Sequence, residues 1–195
     1  MNLSTIVPEN PRERGGSPSF WFGLQTATGT GALIQPILAW GQTYGDGWGI
    51  FHEVFDWNNE KDSRSPEAYQ VQPGDVLHQS VRYIAANNSY SMYIASEQLG
   101  KSISWSYALE KKQTVAETTA YIVVEHAPPG LPNLSCNKLP ASNNITFSNI
   151  VIEVAGKAVP SPHWTTAQES PACKSQAVLV GPRAVQLKWS SHPMA

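Results

Sequence analysis

Charge is scarce in this chain. Only 14% of its 195 residues are charged, and 13 Lys and Arg against 15 Asp and Glu leave a formal net charge of −2. With no basic excess there is nothing to neutralise a run of phosphates, so nucleic acid is not an expected partner. Long apolar stretches are absent as well. No run approaches the ~20 residues that a helix needs to cross a bilayer, and no membrane role is expected. Stretches of helical period are rare, which argues against an α-helical domain. Catalytic and metal signatures are also missing. Neither a G-x-S-x-G elbow nor an H-E-x-x-H pair occurs, and His52, His78, His126, His163 and His192 fall at no metal-ligand spacing. No metal or cofactor is expected. The two cysteines, Cys136 and Cys173, form no C-x-x-C.

What the chain does contain is turn-formers and aromatics: 14 Gly, 15 Pro and 7 Trp, with 10% aromatic residues overall. So aromatic and weakly charged a chain is not a disordered one. Its length suits a single core, since cores divide only beyond ~250–300 residues. Residues 1–18 carry charges and prolines without alternation and read as a flexible leader, followed by one domain over 19–195. Short β-branched and aromatic runs then recur between Gly, Pro, Asn and Asp. They predict strands at 20–25, 32–40, 47–57, 68–72, 76–85, 90–97, 102–109, 118–126, 145–154, 177–180 and 184–189. The proline-rich stretch 127–140 reads as a surface loop. This spacing predicts an all-β fold, a two-sheet antiparallel β-sandwich or jelly roll.

Alternation assigns faces within those strands. Phe51, Glu53, Phe55 and Trp57 share one side of their strand; Leu33, Gln35 and Ile37 share one side of theirs; Tyr121, Val123 and Glu125 do the same in a third. Each strand thus sets one amide or carboxyl among large apolar neighbours, which is costly unless that group is hydrogen-bonded or solvated in a groove. Taken singly, each is read as an ordinary solvent-facing or hydrogen-bonded strand residue. Together, Gln35, Glu53 and Glu125 form a candidate site.

Four N-x-[ST] triplets occur, at Asn2, Asn87, Asn133 and Asn144, and two of them flank Cys136. These point to a secreted protein with one loop-stapling disulfide, Cys136 to Cys173. No signal peptide precedes the polar start, so the expectation is a trimmed secreted form, with a cytosolic protein as the alternative.

Several segments, in order, resemble the glutamic peptidases (eqolisins), secreted acid endopeptidases with a concanavalin A-like β-sandwich. Ser19-Phe20-Trp21-Phe22-Gly23-Leu24 is similar to that family's Ala-Trp-Val-Gly-Ile stretch, and Leu33-Ile34-Gln35 to its Ile-Leu-Gln. The stretch 48–55, with Glu53, resembles its aromatic strand. Val71-Gln72-Pro73-Gly74-Asp75-Val76 resembles its Glu-Gly-Asp turn, and 90–105 its Thr-Gly-Gln hairpin. The stretch 117–126, ending Glu125-His126, resembles Thr-Asn-Ala-Glu-x-Ile-x-Glu-Asp. The resemblance implies catalytic roles for Gln35 and Glu125, with Trp21, Gln25, Phe51, Glu53, Trp57 and Tyr121 binding an extended peptide. It departs at Gln25 and His126, where the family carries acidic residues, and at Pro36, where a strand would offer an N–H. Its first strands are expected to be missing or rebuilt. The implied protein is a monomer with a peptide or small-molecule ligand in a concave groove. Two other readings stay open: a jelly-roll glycoside hydrolase pairing Glu53 with Glu125, and a non-proteolytic module that binds or cyclises a small molecule or sugar.

Overall fold

The computed structural model describes residues 1–25, 31–109, 118–125, 135–167 and 173–190. Among these there is no α-helix. Fifteen strands run in chain order: β1 Asn2–Ile6, β2 Ser19–Gln25, β3 Ala32–Trp40, β4 Trp48–Asp56, β5 Lys61–Arg64, β6 Tyr69–Val71, β7 Val76–Ile84, β8 Ser89–Ser96, β9 Lys101–Ala108, β10 Thr119–Glu125, β11 Asn144–Val151, β12 Glu153–Val154, β13 Lys157–Ala158, β14 Gln176–Gly181 and β15 Ala184–Lys188. They build a seven-stranded sheet, ordered β14-β15-β11-β1-β7-β8-β9, and a six-stranded sheet, ordered β10-β2-β3-β4-β5 with β6 on β4. Every pairing is antiparallel.

The core lies between the sheets and takes alternate residues from both, as a sandwich requires. Phe20, Phe22, Ile34, Leu38, Ile50 and Val54 come from the six-stranded sheet; Leu77, Met92, Ile94, Ile103, Phe147 and Leu187 come from the other. Aromatic pairs close one end. Phe20 stacks on Trp189 at 5.4 Å between ring centroids, and Trp40 meets Trp48 edge-on at 5.4 Å. Trp21, Trp40, Trp48 and Trp189 are buried, in keeping with structural roles for most tryptophans. His52 joins the sheets. It is 0% exposed, and its Nε2 lies 3.2 Å from the carbonyl oxygen of Ile103 in β9.

The expected flexible leader is not what its first residues form. Residues 2–6 are β1, an interior strand of the seven-stranded sheet, held by β7 on one side and β11 on the other. Leu3 and Val7 are buried in the core and Thr5 is buried beside them. The alternation Leu3, Thr5, Val7 is only five residues long. The charges and prolines of the next ten residues hid it, and residues 2–6 belong to the sandwich. The four-residue β5 and the two-residue β13 are likewise strands that the sequence did not announce, since 61–64 reads Lys-Asp-Ser-Arg with no apolar residue, and the strand expected over 145–154 is divided into β11 and β12.

Cys136 and Cys173 are bonded, with α-carbons 5.5 Å apart. The bond ties a short 3₁₀ turn, Cys136–Lys138, to the segment leading into β14. His126, His192, the turn at 26–30, the Asn133 triplet and most of the 127–140 loop lie outside the described residues.

Candidate functional site

The site is built on the face of the six-stranded sheet that looks away from the core. Register fixes its membership. Glu125 stands opposite Ser19, Val123 opposite Trp21 and Tyr121 opposite Gly23. Trp21 stands opposite Ile37 and Gln25 opposite Leu33. Gln35 faces Glu53, Ile37 faces Phe51 and Leu33 faces Phe55. Glu53 in turn faces Arg64, and Phe55 faces Asp62. All the residues singled out on β2, β3, β4 and β10 therefore point to one side. The two candidate dyad residues do not lie on opposite faces.

This face is recessed. Trp21, Ile37, Ala39 and Phe51 form a second apolar cluster on it, each at most 5% exposed, with Leu33, Ala68, Tyr121 and Val123 packed around them. Residues can be so well covered on an outward face only if walls rise beside them. One wall is the loop after β3. Gly49 lies beneath it, and a β-carbon there would come within 3.1 Å of Tyr44 and 3.3 Å of Thr43. Tyr44 is fastened by donating its hydroxyl to the carbonyl of Ala68. At the other end Trp57 packs edge-on against Phe55, 5.3 Å between centroids. Gln25 closes the end of β2 opposite Thr119.

Gln35 occupies a local break in the sheet. The β2–β3 pairing is continuous up to Trp21–Ile37 and resumes at Leu24–Ile34. Between them Pro36 has no N–H to give, the reason proline is rare in central strands. Gly23 fits the same gap because a β-carbon there would lie 2.4 Å from the Ile34 carbonyl oxygen. The proline that looked anomalous in the sequence thus marks the irregularity beside Gln35. Gln35 is 4% exposed.

Glu53 and Glu125 differ sharply. Glu53 is partly buried, and Arg64 Nε approaches its Oε2 to 2.6 Å. The Arg64 guanidinium also lies over the Phe51 ring, 5.0 Å from its centroid, which fixes its orientation. Burial pushes the Glu53 pKa up. Arg64 holds it down, while Asp62 and Glu125 add to the rise. Glu125 is exposed, at the end of an edge strand, and accepts a hydrogen bond from Ser19 Oγ at 3.1 Å. A Glu125 buried beside aromatics was expected from the sequence; it is Glu53 that carries the desolvation. The reason is position, because among the described residues β10 has a strand neighbour on one side only.

A flat sheet would hold the α-carbons of Glu53 and Glu125 about 20 Å apart, three strand spacings across and four residues along. Gln35 stands at the Glu53 end of this diagonal, directly across the β3–β4 ladder from Glu53. Sequence reasoning missed Arg64 and Ser19. Arg64 sits in a strand without apolar residues, and Ser19 becomes visible only as the cross-strand partner of Glu125. Among the described residues no group of His, Cys, Asp and Glu is placed to hold a metal ion.

No protein-family model matches this chain, and no curated relative does. Solved structures do. The chain is similar to scytalido-glutamic peptidase solved with a transition state analog inhibitor, with a TM-score of 0.64 and 16% identity over 96% of this chain and 90% of that one. It is similar to aspergilloglutamic peptidase from Aspergillus niger, with a TM-score of 0.65 and 17% identity over 89% of this chain and 98% of that one. It is also similar to SCP-B, a member of the eqolisin family in complex with the tripeptide Ala-Ile-His, with a TM-score of 0.60 and 16% identity. At such identities the likeness is one of fold: this chain has the β-sandwich of the glutamic peptidases.

Proposed function

We propose that the recessed face binds an extended peptide and hydrolyses it by a glutamic-type mechanism. The observation that carries this reading is the gathering of Gln35, Glu53 and Glu125 on one recessed face, with Gln35 directly across the ladder from Glu53. Glu125 takes a proton from a water as that water attacks the scissile carbonyl, then returns it to the leaving amine. Gln35 holds the water and donates its amide N–H to the oxygen on which negative charge develops. Trp21, Phe51, Tyr121 and Trp57 supply the apolar contacts along the peptide, with Gln25 at the end of the run. Glu53, paired to Arg64, sets the field beside Gln35. The groove is built from one chain, so this reading requires no second copy. The disulfide and the fold support a secreted protein working in an oxidising compartment.

A second reading rests on a specific observation. Glu125 is exposed and already engaged by Ser19, an arrangement that suits a ligand contact as well as a base. On this reading the groove binds without cleaving, and the ligand is a peptide or a small molecule. Binding is tested on the Glu125→Gln variant with an unlabelled extended peptide, following tryptophan fluorescence and amide exchange. The expected result is quenching or a spectral shift with protection of β3 and β4. Unchanged fluorescence and exchange at millimolar peptide would remove both readings.

A further inference from the structure

Outside the groove, on the outward face of the seven-stranded sheet, three side chains form a chain of hydrogen bonds. Ser4 of β1 and His78 of β7 are direct cross-strand partners. Ser4 Oγ lies 3.0 Å from His78 Nδ1, and His78 Nε2 is bonded to Glu97 Oε1. An ionised carboxylate can only accept, so with a neutral imidazole the Nε2 carries the proton. Nδ1 is then the acceptor, and the Ser4 hydroxyl donates to it. This is the order of roles in nucleophilic hydrolases: hydroxyl, base, and a carboxylate that fixes the tautomer. The two ring nitrogens have exchanged places relative to the familiar triad, which leaves the proton path intact.

Ser4 is 9% exposed. On the other side of β1 its partner is Ser148. Immediately beyond Ser148 the β1–β11 register slips, between Ser4–Ser148 and Asn2–Val151. Asn149, at φ +55°, sits in the slip. Bulges of this kind leave one residue outside the ladder and gather beside active sites. Ser148, though none of the three residues of the hydrogen-bond chain, lines an open groove of about 440 Å³ with Ile6, Pro8 and Pro73 on its apolar side. Ile6 is two residues from Ser4 on the same face and 59% exposed.

We propose that Ser4, His78 and Glu97 form a second, serine-type acyl-transfer site, independent of the peptide groove, that takes short-chain esters. Ser4 Oγ attacks the ester carbonyl while its proton passes to His78 Nδ1. The carbon–oxygen bond to the leaving alcohol breaks, and that alcohol departs with the Nδ1 proton. Acyl-Ser4 is then hydrolysed by a water that gives its proton to the same nitrogen, releasing the acid. β1 is paired on both sides, so its own N–H groups are committed to the ladder. Oxyanion support is therefore slight, and the acyl-serine accumulates.

The test uses a fluorophosphonate probe on the folded, disulfide-intact protein, read by intact mass and peptide mapping. One adduct per chain is expected, on Ser4, with fluoride displaced. p-Nitrophenyl acetate should give a burst of about one p-nitrophenolate per chain followed by slow turnover. His78→Asn should slow labelling about 10²-fold or more. Glu97→Gln should slow it less, Ser4→Ala should abolish it, and Glu125→Gln should leave it unchanged. His78 and Glu97 are half exposed, so their variants retain the fold even if Ser4→Ala does not. Absence of an adduct at Ser4, or labelling at the same rate in His78→Asn, would overturn the proposal.

Discussion

Gln35 and Glu53 face each other directly across the β3–β4 ladder, yet no hydrogen bond joins their side chains. Glu53 turns instead to Arg64, which stands at the same level in β5 and is held over Phe51. The ion pair therefore keeps the carboxylate from capturing the amide. Had Glu53 accepted from Gln35, the amide would have lost the donor that the proposed chemistry needs.

Arg64→Met should break that arrangement. With the cation gone, burial and the charges of Asp62 and Glu125 act on Glu53 unopposed, and its pKa rises further above its ordinary value. Side-chain carboxyl titration by NMR should show the Glu53 midpoint moving up. A midpoint that is unchanged or lower would mean that Arg64 does not govern this carboxyl.

His52 should set an acid limit to stability. Burial lowers its pKa from 6.5 to about 4, and among the described residues its Nδ1 has no partner to receive a second N–H. The unfolded chain binds this proton first. The stabilisation is thus full above pH ~6.5 and is lost as pH falls towards ~4, by about 3 kcal/mol. Denaturant unfolding between pH 7 and pH 4 should show that slope, and His52→Leu should flatten it whatever its own stability. An identical slope in the variant would place the acid sensitivity elsewhere.

Gly23→Ala should destabilise the sheet by about 1–3 kcal/mol, the usual range for overpacking. The added carbon would meet the Ile34 carbonyl at 2.4 Å, and backbone has to move to relieve it. Because Gly23 lies in the break beside Gln35, peptide binding should weaken too. Thermal unfolding with a peptide titration checks both effects.

Removing the disulfide with Cys136→Ala and Cys173→Ala should cost about 3–4 kcal/mol on the loop-entropy account, for a separation of 37 residues. Both residues lie against the main core, so part of the loss would come from packing. Reduction of the unsubstituted protein separates that part.

Most of the sandwich was legible because its strands alternate strongly and are separated by glycine, proline and asparagine. Period two placed each of Gln35, Glu53 and Glu125 on a face of its own strand; that the three faces are one followed only from strand order and register. β1 was not legible, since its five residues carry a weak alternation ahead of a charged, proline-rich stretch. Its place in the sheet is decided by distant partners in β7 and β11. Nor could the sequence tell which glutamate is buried. That depends on strand order, with β4 interior and β10 at an edge, and strand order is a tertiary property. Pro36 argued against a central strand by local rules. The break it occupies, with Gly23 alongside, accounts for its presence.

The most direct test of the account is digestion of an unfolded protein substrate from pH 4 to pH 7, with circular dichroism confirming the fold at each pH. The unsubstituted protein should cleave it. Glu125→Gln should abolish cleavage without loss of fold, and Gln35→Ala should lower the rate by about 10²–10³, the cost of one oxyanion donor. Cleavage that persists in both variants, or no cleavage by the unsubstituted protein at any pH where it is folded, would contradict the peptidase mechanism.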